Sequence, residues 1–381
     1  MTQVTLNVNN SKHEERLFMA FDLSHKTWHI AFTDGTHNRY CTVKDKNLAA
    51  LDEAIKAAKK KFKLSEDCPV FSCYEAGRDG FWLDRYLRKK GINNLVVDSS
   101  SIETSRRHRR VKTDKVDAKK LLSMLVRHYN GERKHWSIVN VPSEEAEDLR
   151  RIQREIDRLI KEKGQHSARM RSLLNLDGIV VDTIGGKDWE AQLEQLRDRE
   201  NKPLRPFKKG ELLRENERLE LVKKQINALE KEKQRLLEEE LDTYPELKKV
   251  KQLMLLKGIG KASAWLYVLE FFGWRDFKNR KEVGALSGLT PTPFSSGTDN
   301  KEQGISKAGN KRIRFMTVEI AWLWVRYQPQ SELTQWYKER FAQGSGRMKR
   351  IGIVALARKL LISLWRYLET GEPPKGAILS F

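Results

Sequence analysis

Residues 17–32, LFMAFDLSHKTWHIAF, decide the fold of the first part of the chain. Polar residues around His25 and Lys26 divide this apolar segment, so it predicts two β-strands joined by a tight turn. Asp22 lies inside the first of these strands. Taken alone, this acid is most simply explained as a surface residue on an edge strand. The acids that follow it in the chain suggest a larger role.

Three further acids occur where a shared site would need them. Glu75 follows a second apolar run in PVFSCYEAGRDGFW, and Asp114 and Asp117 begin the helix-like run DKVDAKKLLSMLV. A spacing of three residues places the two aspartates on one helix face. They could also be ordinary acids in the first turn of a helix capped by Thr113. Only the ordered set of four points to a common site.

Four carboxylates that converge on one spot repel each other strongly unless a cation lies between them. Oxygen ligands of this kind suit Mg²⁺ or Mn²⁺. We therefore predict a metal site formed by Asp22, Glu75, Asp114 and Asp117. This order of acids resembles that of nucleases of the ribonuclease H type.

Three regions differ in their patterning. Residues 17 to about 130 alternate strand-like and helix-like runs, which indicates an α/β layer domain. After Pro142, apolar residues recur every three or four positions in two charged stretches, which predicts two long helices forming an antiparallel, coiled-coil-like hairpin. The seam residues are Leu149, Ile152, Ile156 and Leu159, then Leu219, Val222, Ile226, Leu229 and Leu236, with Lys233 interrupting the second set. Whether the seam closes within one chain or between two stays open.

The remaining residues predict a helical third unit with short loops at KGIGKAS, GLTPTPFSSGTDNKEQG and SKAGN. The expected domains are therefore residues 1–140, 141–244 and 245–381. Most tryptophans of the third unit are expected in its core rather than in contact with bases. The stretch 176–210 has no clear assignment.

Charge indicates the class of partner. Lys and Arg number 73 against 52 Asp and Glu, a formal charge of +21 over 381 residues. Such an excess favours a polyanion, with nucleic acid as the first choice and an anionic membrane surface as the alternative. No apolar run approaches the roughly 20 residues of a membrane span. The start of the chain lacks a secretory signal, and the three cysteines fit a reducing cytoplasm.

Three basic segments are candidates for contact with phosphates. SRRHRRVK directly precedes the two helical aspartates, LKGIGKASAWL has the Gly-Ile-Gly of a helix-hairpin-helix, and SKAGNKRIR enters a helix. A solvated charged face and a plain helix–helix turn are the alternatives. The candidate residues are Arg106, Arg107, Arg109, Arg110, Lys112, Lys257, Gly258, Gly260, Lys261, Lys307, Lys311, Arg312 and Arg314.

Ser295 and Ser296 begin a polar, glycine-containing segment, PFSSGTDNKEQG. Serines beside glycine are common in loops, so alone they carry little weight. No histidine follows His166, which argues against a local Ser-His dyad. A nucleophilic serine here would need activation by a metal or an arginine.

The motifs together resemble a family. FDLSHKTW, YEAGRDGFW and KTDKVDAKKL, followed by LKGIGKASA, LSGLTPTPFSSG and GISKAGNKRIR, are similar in order and spacing to the DEDD-type insertion-sequence transposases. That group includes the Piv-like DNA invertases and the bridge-RNA-guided serine recombinases. The resemblance spans nearly the whole chain. It implies an α/β RuvC-like (RNase H-like) N-terminal domain, an α-helical coiled-coil connector and a mainly α C-terminal transposase domain with a helix-hairpin-helix.

The resemblance also implies chemistry and partners. Asp22, Glu75, Asp114 and Asp117 would hold Mg²⁺ or Mn²⁺, and Ser296, with Ser295 as its near alternative, would attack DNA to form a phosphoserine intermediate. The implied partners are double-stranded donor and target DNA, a structured guide (bridge) RNA and further copies of the chain in a dimer or tetramer, in the cytoplasm of a bacterium or archaeon at the nucleoid. The alternatives are a Piv-like invertase without guide RNA, a RuvC-like metal-dependent nuclease that uses water, and a non-enzymatic architectural protein.

Overall fold

The computed structural model describes residues 15–77, 80–102, 114–133, 135–296 and 299–380, with the side chains of residues 100, 114–116 and 294–303 excluded. The chain divides between Val141 and Pro142 into two compact units. Within these described ranges, no helix has the length and apolar character needed to cross a bilayer.

The first unit is built on a five-stranded mixed sheet in the order β3-β2-β1-β4-β5. Neighbours β1, β2 and β3 pair antiparallel, while β1 pairs with β4, and β4 with β5, in parallel. The α/β character predicted for this region is confirmed, and the predicted turn falls between β1 and β2. The strands are β1 (Leu17–Leu23), β2 (Thr27–Thr33), β3 (Asn38–Lys44), β4 (Val70–Glu75) and β5 (Asn93–Val97).

Both faces of the sheet are covered by helices, because side chains along a strand alternate between its faces. Helices α1 (Leu48–Lys61) and α2 (Trp82–Lys89) lie over the face that carries Met19 and Phe21. Helix α3 (Asp114–Tyr129) lies over the other face. The buried residues of this second face are Phe18, Ala20, Ala31, Cys73 and Val97 from strands, with Ala118, Leu121, Leu122, Met124 and Leu125 from α3.

The second unit begins with an arm of two long helices, α4 (Glu144–Asn175) and α6 (Pro206–Glu239). They pack antiparallel within one chain: Lys233 bonds Gln153 near one end, and Arg169 pairs with Glu211 near the other. The seam is uneven. Between Leu159 and Met170, no residue of α4 is fully buried, and Gly164 lies in that stretch.

The far end of the arm carries a cap, residues 176–205, which includes α5 (Trp189–Gln195). The cap shares a small core with the arm ends, and Trp189 at its centre has no exposed surface. The other buried members are Met170, Leu173, Leu174, Ile179, Ile184, Leu193, Leu204, Leu212 and Leu219.

The near end of the arm joins a helical base with the largest core of the molecule, which includes the fully buried Trp265 and Trp324. This mainly helical character is the one predicted. Two π-helical turns, Val268–Phe272 and Lys338–Ala342, follow α8 and α11. The helices are α7 (Glu246–Met254), α8 (Lys261–Tyr267), α9 (Arg280–Ser287), α10 (Lys311–Tyr327), α11 (Glu332–Tyr337) and α12 (Gly346–Thr370).

The loop predicted for GLTPTPFSSGTDNKEQG is wrong in part. Its residues form an antiparallel hairpin of β6 (Pro291–Ser296) and β7 (Asp299–Ile305), with an irregular register between Pro291 and Pro293. Prolines cannot donate to a sheet and are normally confined to edge strands, which is why the sequence reads as a loop. In a two-stranded hairpin both strands are edges, so the prolines are tolerated.

Candidate functional site

Asp22 and Glu75 lie at the same level of two neighbouring strands. The parallel register of β1 and β4 pairs Ala20 with Cys73 and Phe21 with Tyr74, and each acid is the next residue along its strand. Ala20 and Cys73 are buried on the face covered by α3. Because side chains alternate, the two acids two residues later point to that same face. Asp22 is half-buried, and Glu75, the last residue of β4, is exposed.

Helix α3 brings its first turn toward these acids. Near its end, the Tyr129 ring lies 4.3 Å from that of Phe71, early in β4. Further back, the Cys73 thiol lies 3.7 Å from the carbonyl oxygen of Leu121. The helix therefore runs against the direction of β4. Asp117, one turn before Leu121, lies toward the end of the strand where Glu75 is.

The fourth predicted ligand, Asp114, is the first residue of α3, and its side chain lies outside the described part. Among the side chains that are described, no three His, Cys, Asp or Glu already form a metal-binding group. The donor set nevertheless fits a hard cation: carboxylates on β1, β4 and the start of α3 share one end of one sheet face.

A residue not singled out from the sequence borders this site. His29 on β2 pairs with Asp22 across the strands, and it lines a cavity of about 260 Å³. Tyr40, Thr42 and Ala118 line the same cavity between sheet and helix. The signal was present in WHIAF, where a histidine alternates with apolar residues of the opposite face.

Ser295 and Ser296 lie at the tip of the second unit's hairpin. Ser295 pairs with Asn300 and Ser296 with Asp299, so Ser296 is the last paired residue before the turn. Their side chains and the turn residues 297 and 298 lie outside the described part.

At the base of this hairpin, Gly288 and Gly309 allow two backbone segments to approach closely. A Cβ at Gly288 would lie 2.1 Å from the Ala308 carbonyl oxygen, and one at Gly309 would lie 2.2 Å from the Leu286 carbonyl oxygen. Both have positive φ, at 69° and 90°. Backbone hydrogen bonds join the same segments, from Lys307 to Gly288 at 3.1 Å among others. The distant GLTP and SKAGN motifs are therefore two sides of one contact.

The residues predicted to form a helix-hairpin-helix comprise the end of α7, a turn and α8. Gly258 has φ +94°, and Gly260 is the N-cap of α8. Lys257 is exposed at the turn. Lys261 instead lies 3.7 Å from Glu230 and 3.1 Å from Gln234 of the arm, which gives it a structural partner.

The other basic candidates also divide into residues that are exposed and residues that have a structural partner. Lys307 and Lys311 are exposed. Arg312 lies 3.0 Å from Asp157 of the arm, and Arg314 donates to the Ser287 carbonyl at 3.3 Å. The candidates Arg106, Arg107, Arg109, Arg110 and Lys112 lie outside the described residues.

Comparison with known proteins identifies the family. Residues 19–177 match the family DEDD_Tnp_IS110, described as Transposase, and residues 250–335 match one described as Transposase IS116/IS110/IS902 family. The Sinorhizobium fredii protein named "Putative transposase y4rJ" is 37% identical over 95% of this chain and 94% of its own length. The chain belongs to the IS110/IS116 family of insertion-sequence transposases.

More distant relatives agree. The Leptospira borgpetersenii "Transposase for insertion sequence element IS1533" is 25% identical over 96% of this chain and 99% of its own length. Proteins of this type cut and rejoin DNA, bind it and usually oligomerise. Within this transposase, the four acids fall in the first family match, while the serine hairpin and the Lys257 turn fall in the second.

Proposed function

We propose that this transposase cuts and rejoins DNA through a covalent phosphoserine intermediate formed by Ser296. In this proposal, Asp22, Glu75, Asp114 and Asp117 hold Mg²⁺ or Mn²⁺, in a domain of RuvC-like fold. The observation that carries the proposal is the position of Asp22 and Glu75 on one face of neighbouring parallel strands, with the first turn of α3 directed toward them. These acids lie in a segment that matches the DEDD family.

The proposed reaction conserves the phosphodiester bond energy. The Ser296 hydroxyl loses its proton and its oxygen attacks phosphorus. A bond forms between the serine oxygen and phosphorus, the bond from phosphorus to a sugar oxygen breaks, and that sugar oxygen takes up a proton as a free hydroxyl end. A hydroxyl end from another strand then attacks the phosphoserine, the strands are joined and the serine oxygen regains a proton. When bound, a divalent metal would polarise the phosphoryl oxygen and stabilise the leaving oxygen. No ATP is required, and the sequence has no GxxxxGK[ST] loop.

The protein's own residues contribute by holding Ser296 in position. Ser296 ends a strand whose hairpin is fixed at its base by the contacts of Gly288 and Gly309. A nucleophile on an element anchored in this way loses little freedom on reaching the transition state. Exposed Lys257, Lys307 and Lys311 in the same unit would contact DNA phosphates.

We further propose that the active form is a dimer or tetramer and that a structured bridge RNA selects target and donor DNA by base pairing. The net charge of +21 supports a protein that holds two kinds of nucleic acid. A Piv-like invertase without guide RNA is the first alternative. A RuvC-like nuclease that uses water is the second, because the DEDD match alone also fits that chemistry.

Strand exchange tests the serine. Wild type, Ser296→Ala, Ser295→Ala and Asp117→Asn would be compared with Mg²⁺, donor and target DNA and RNA purified with the protein. We expect recombinant DNA and a covalent protein–DNA band with wild type and Ser295→Ala, and neither with Ser296→Ala or Asp117→Asn. Nicked DNA without an adduct, unchanged in Ser296→Ala, would instead identify a water-using nuclease.

The guide is tested separately. Ribonuclease treatment of the wild-type protein should abolish recombination, and adding back the purified RNA should restore it. Recombination that survives complete removal of RNA would support the Piv-like alternative.

Asp117→Asn is the control for DNA binding, since this variant should still bind DNA. Unchanged recombination in this variant would support the alternative in which the protein is a non-enzymatic architectural protein.

A further inference from the structure

One face of α10 exposes large aromatic side chains. Phe315 is 66% exposed and Trp322, two turns later on the same side of the helix, is 44% exposed. Tyr327, 37% exposed, lies about 140° around the helix axis from Trp322, at the edge of this face. The opposite face of the helix is buried in the base, where Ile313 and Trp324 have no exposed surface. Single exposed apolar residues are ordinary, but contiguous aromatic surface usually marks an interaction site.

A cation lies on each side of these two rings along the helix. Lys311 lies one turn before Phe315 on the helix, and Arg326 one turn after Trp322. The Arg326 guanidinium lies 5.3 Å from the centre of the Tyr327 ring. Glu319 is the acid on this face among the residues described. A face with two cations, one acid and two large rings along its length favours an anionic partner that also has flat apolar surfaces.

The face continues into the turn of the helix-hairpin-helix. A Cβ at Gly258 would lie 3.4 Å from the Cβ of Tyr327, so the turn packs directly on the end of α10. The buried Gln328 amide donates to the Lys257 carbonyl at 2.8 Å and to the Ile378 carbonyl at 2.9 Å. Exposed Lys257 is thereby held beside Tyr327.

We propose that the aromatic face of α10, formed by Phe315 and Trp322 and bordered by Leu323 and Tyr327, binds unpaired nucleotides of a DNA or RNA strand. Bases stack on Phe315 and Trp322, while Lys311 and Arg326 on the same side of the helix, and Lys257 beside Tyr327, contact phosphates. In a duplex, base faces are already covered by their neighbours; only an unpaired strand offers them to aromatic side chains. The inference depends on the proposed function only in that the transposase handles nucleic acid, and it does not depend on Ser296.

The cap provides a matched control. Phe207, at the start of α6, is 94% exposed. The two lysines that follow it are paired with acids of the cap: Lys208 lies 2.6 Å from Asp177, and Lys209 pairs with Glu194. Phe207→Ala therefore removes an exposed aromatic ring whose neighbouring lysines are already paired with carboxylates.

Binding would be measured by fluorescence anisotropy with labelled oligothymidylate, oligouridylate and a duplex of equal length, using the full chain. We expect Trp322→Ala to raise the Kd for single strands about 5- to 100-fold, with the duplex Kd unchanged. Trp322→Phe should retain most of the single-strand affinity, and Phe207→Ala all of it. The tighter of the two single-stranded probes would indicate whether DNA or RNA is the natural source.

Equal loss of single-strand and duplex binding in Trp322→Ala would overturn the proposal, as would no loss at all. Dissociation of an oligomer by Trp322→Ala in light scattering, with single-strand affinity kept, would show that the face binds protein. Ser296→Ala should bind single strands like wild type, so failure of the serine mechanism and failure of this inference are distinguishable.

Discussion

Lys233 of α6 donates a buried hydrogen bond to Gln153 of α4, with 2.7 Å between Nζ and Oε1. The Lys233 side chain has no exposed surface and lies over the Trp265 ring, 5.3 Å from its centre. Glu230, at 3.5 Å, is its ionic partner. A charged residue thus occupies an apolar seam position where the arm meets the helical base.

We expect Lys233→Met to lower the free energy of unfolding by about 1–2 kcal/mol, because it leaves the Gln153 oxygen buried without a donor. Adding Gln153→Leu should recover most of the loss. Denaturant unfolding of both single variants and the double variant would measure the coupling. Strictly additive effects would show that the two side chains act independently.

Lys233 should also make stability depend on pH. Burial lowers the pKa of Lys233 below the ordinary 10.5. Between the lowered value and 10.5 the unfolded chain binds more protons than the folded chain, so the stability difference between wild type and Lys233→Met shifts in favour of wild type as pH rises through that window. Urea titrations at increasing alkaline pH would detect the shift; a constant difference would contradict it.

Glu270 ties three elements together. This buried carboxylate in the π-helical turn accepts two hydrogen bonds from Arg154 of the arm, at 2.5 and 2.7 Å, and lies 3.8 Å from Arg312. Since Arg154 is half-exposed, we expect Glu270→Gln to cost about 1–3 kcal/mol, less than a fully buried pair. Glu155→Gln, which removes an exposed pair with Arg158 on the same arm, should leave the melting temperature unchanged.

Gly309→Ala should be severely destabilising. The added methyl would meet the Leu286 carbonyl oxygen at 2.2 Å, and φ is +90°. We expect a loss of about 2–4 kcal/mol, from overlap and backbone strain together. Gly304, on β7 with φ +88°, has no atom of the described residues within 4 Å of the place that an added methyl group would take, so Gly304→Ala should cost only about 1 kcal/mol. Equal losses in thermal unfolding would mean that strain alone is responsible.

Cys73 should be unreactive in the folded protein. Complete burial raises the pKa of its thiol well above the ordinary 9.0. Because thiolate is the reactive form, iodoacetamide should label half-buried Cys41 first and Cys73 only in denaturant. Mass spectrometry of labelled peptides would measure both; rapid native labelling of Cys73 would show that α3 opens from the sheet.

The sequence allowed the first hairpin to be predicted because apolar runs and a polar turn coincide in residues 17–32. The sequence orders the acids along the chain and predicts that they share a site, but it does not give their positions. Those of Asp22 and Glu75 depend on the parallel pairing of β1 with β4, and that of Asp117 on the direction of α3. Neither is a local property.

Elsewhere, local signals misled. Pro291 and Pro293 suppressed the strand signal of β6, whose stability comes from pairing with β7 and from the Gly309 contact. The sequence predicts that Lys233 interrupts the seam, but its side chain is buried and donates a hydrogen bond to Gln153, eighty positions earlier in the chain. The sequence also predicts Ile226 as a seam residue, but its side chain is only half-buried.

We expect the arm to bend at its middle rather than to behave as a rigid rod. Helix α4 has 32 residues, a span of about 48 Å. Its stiffness should be lowest between Leu159 and Met170, where none of its residues is fully buried and Gly164 weakens the helix. Thermal bending there would move the cap over a large distance relative to the base. Spin labels on cap and base should report a broad range of separations that narrows in Gly164→Ala, and an equally narrow range in wild type would mean a stiff arm.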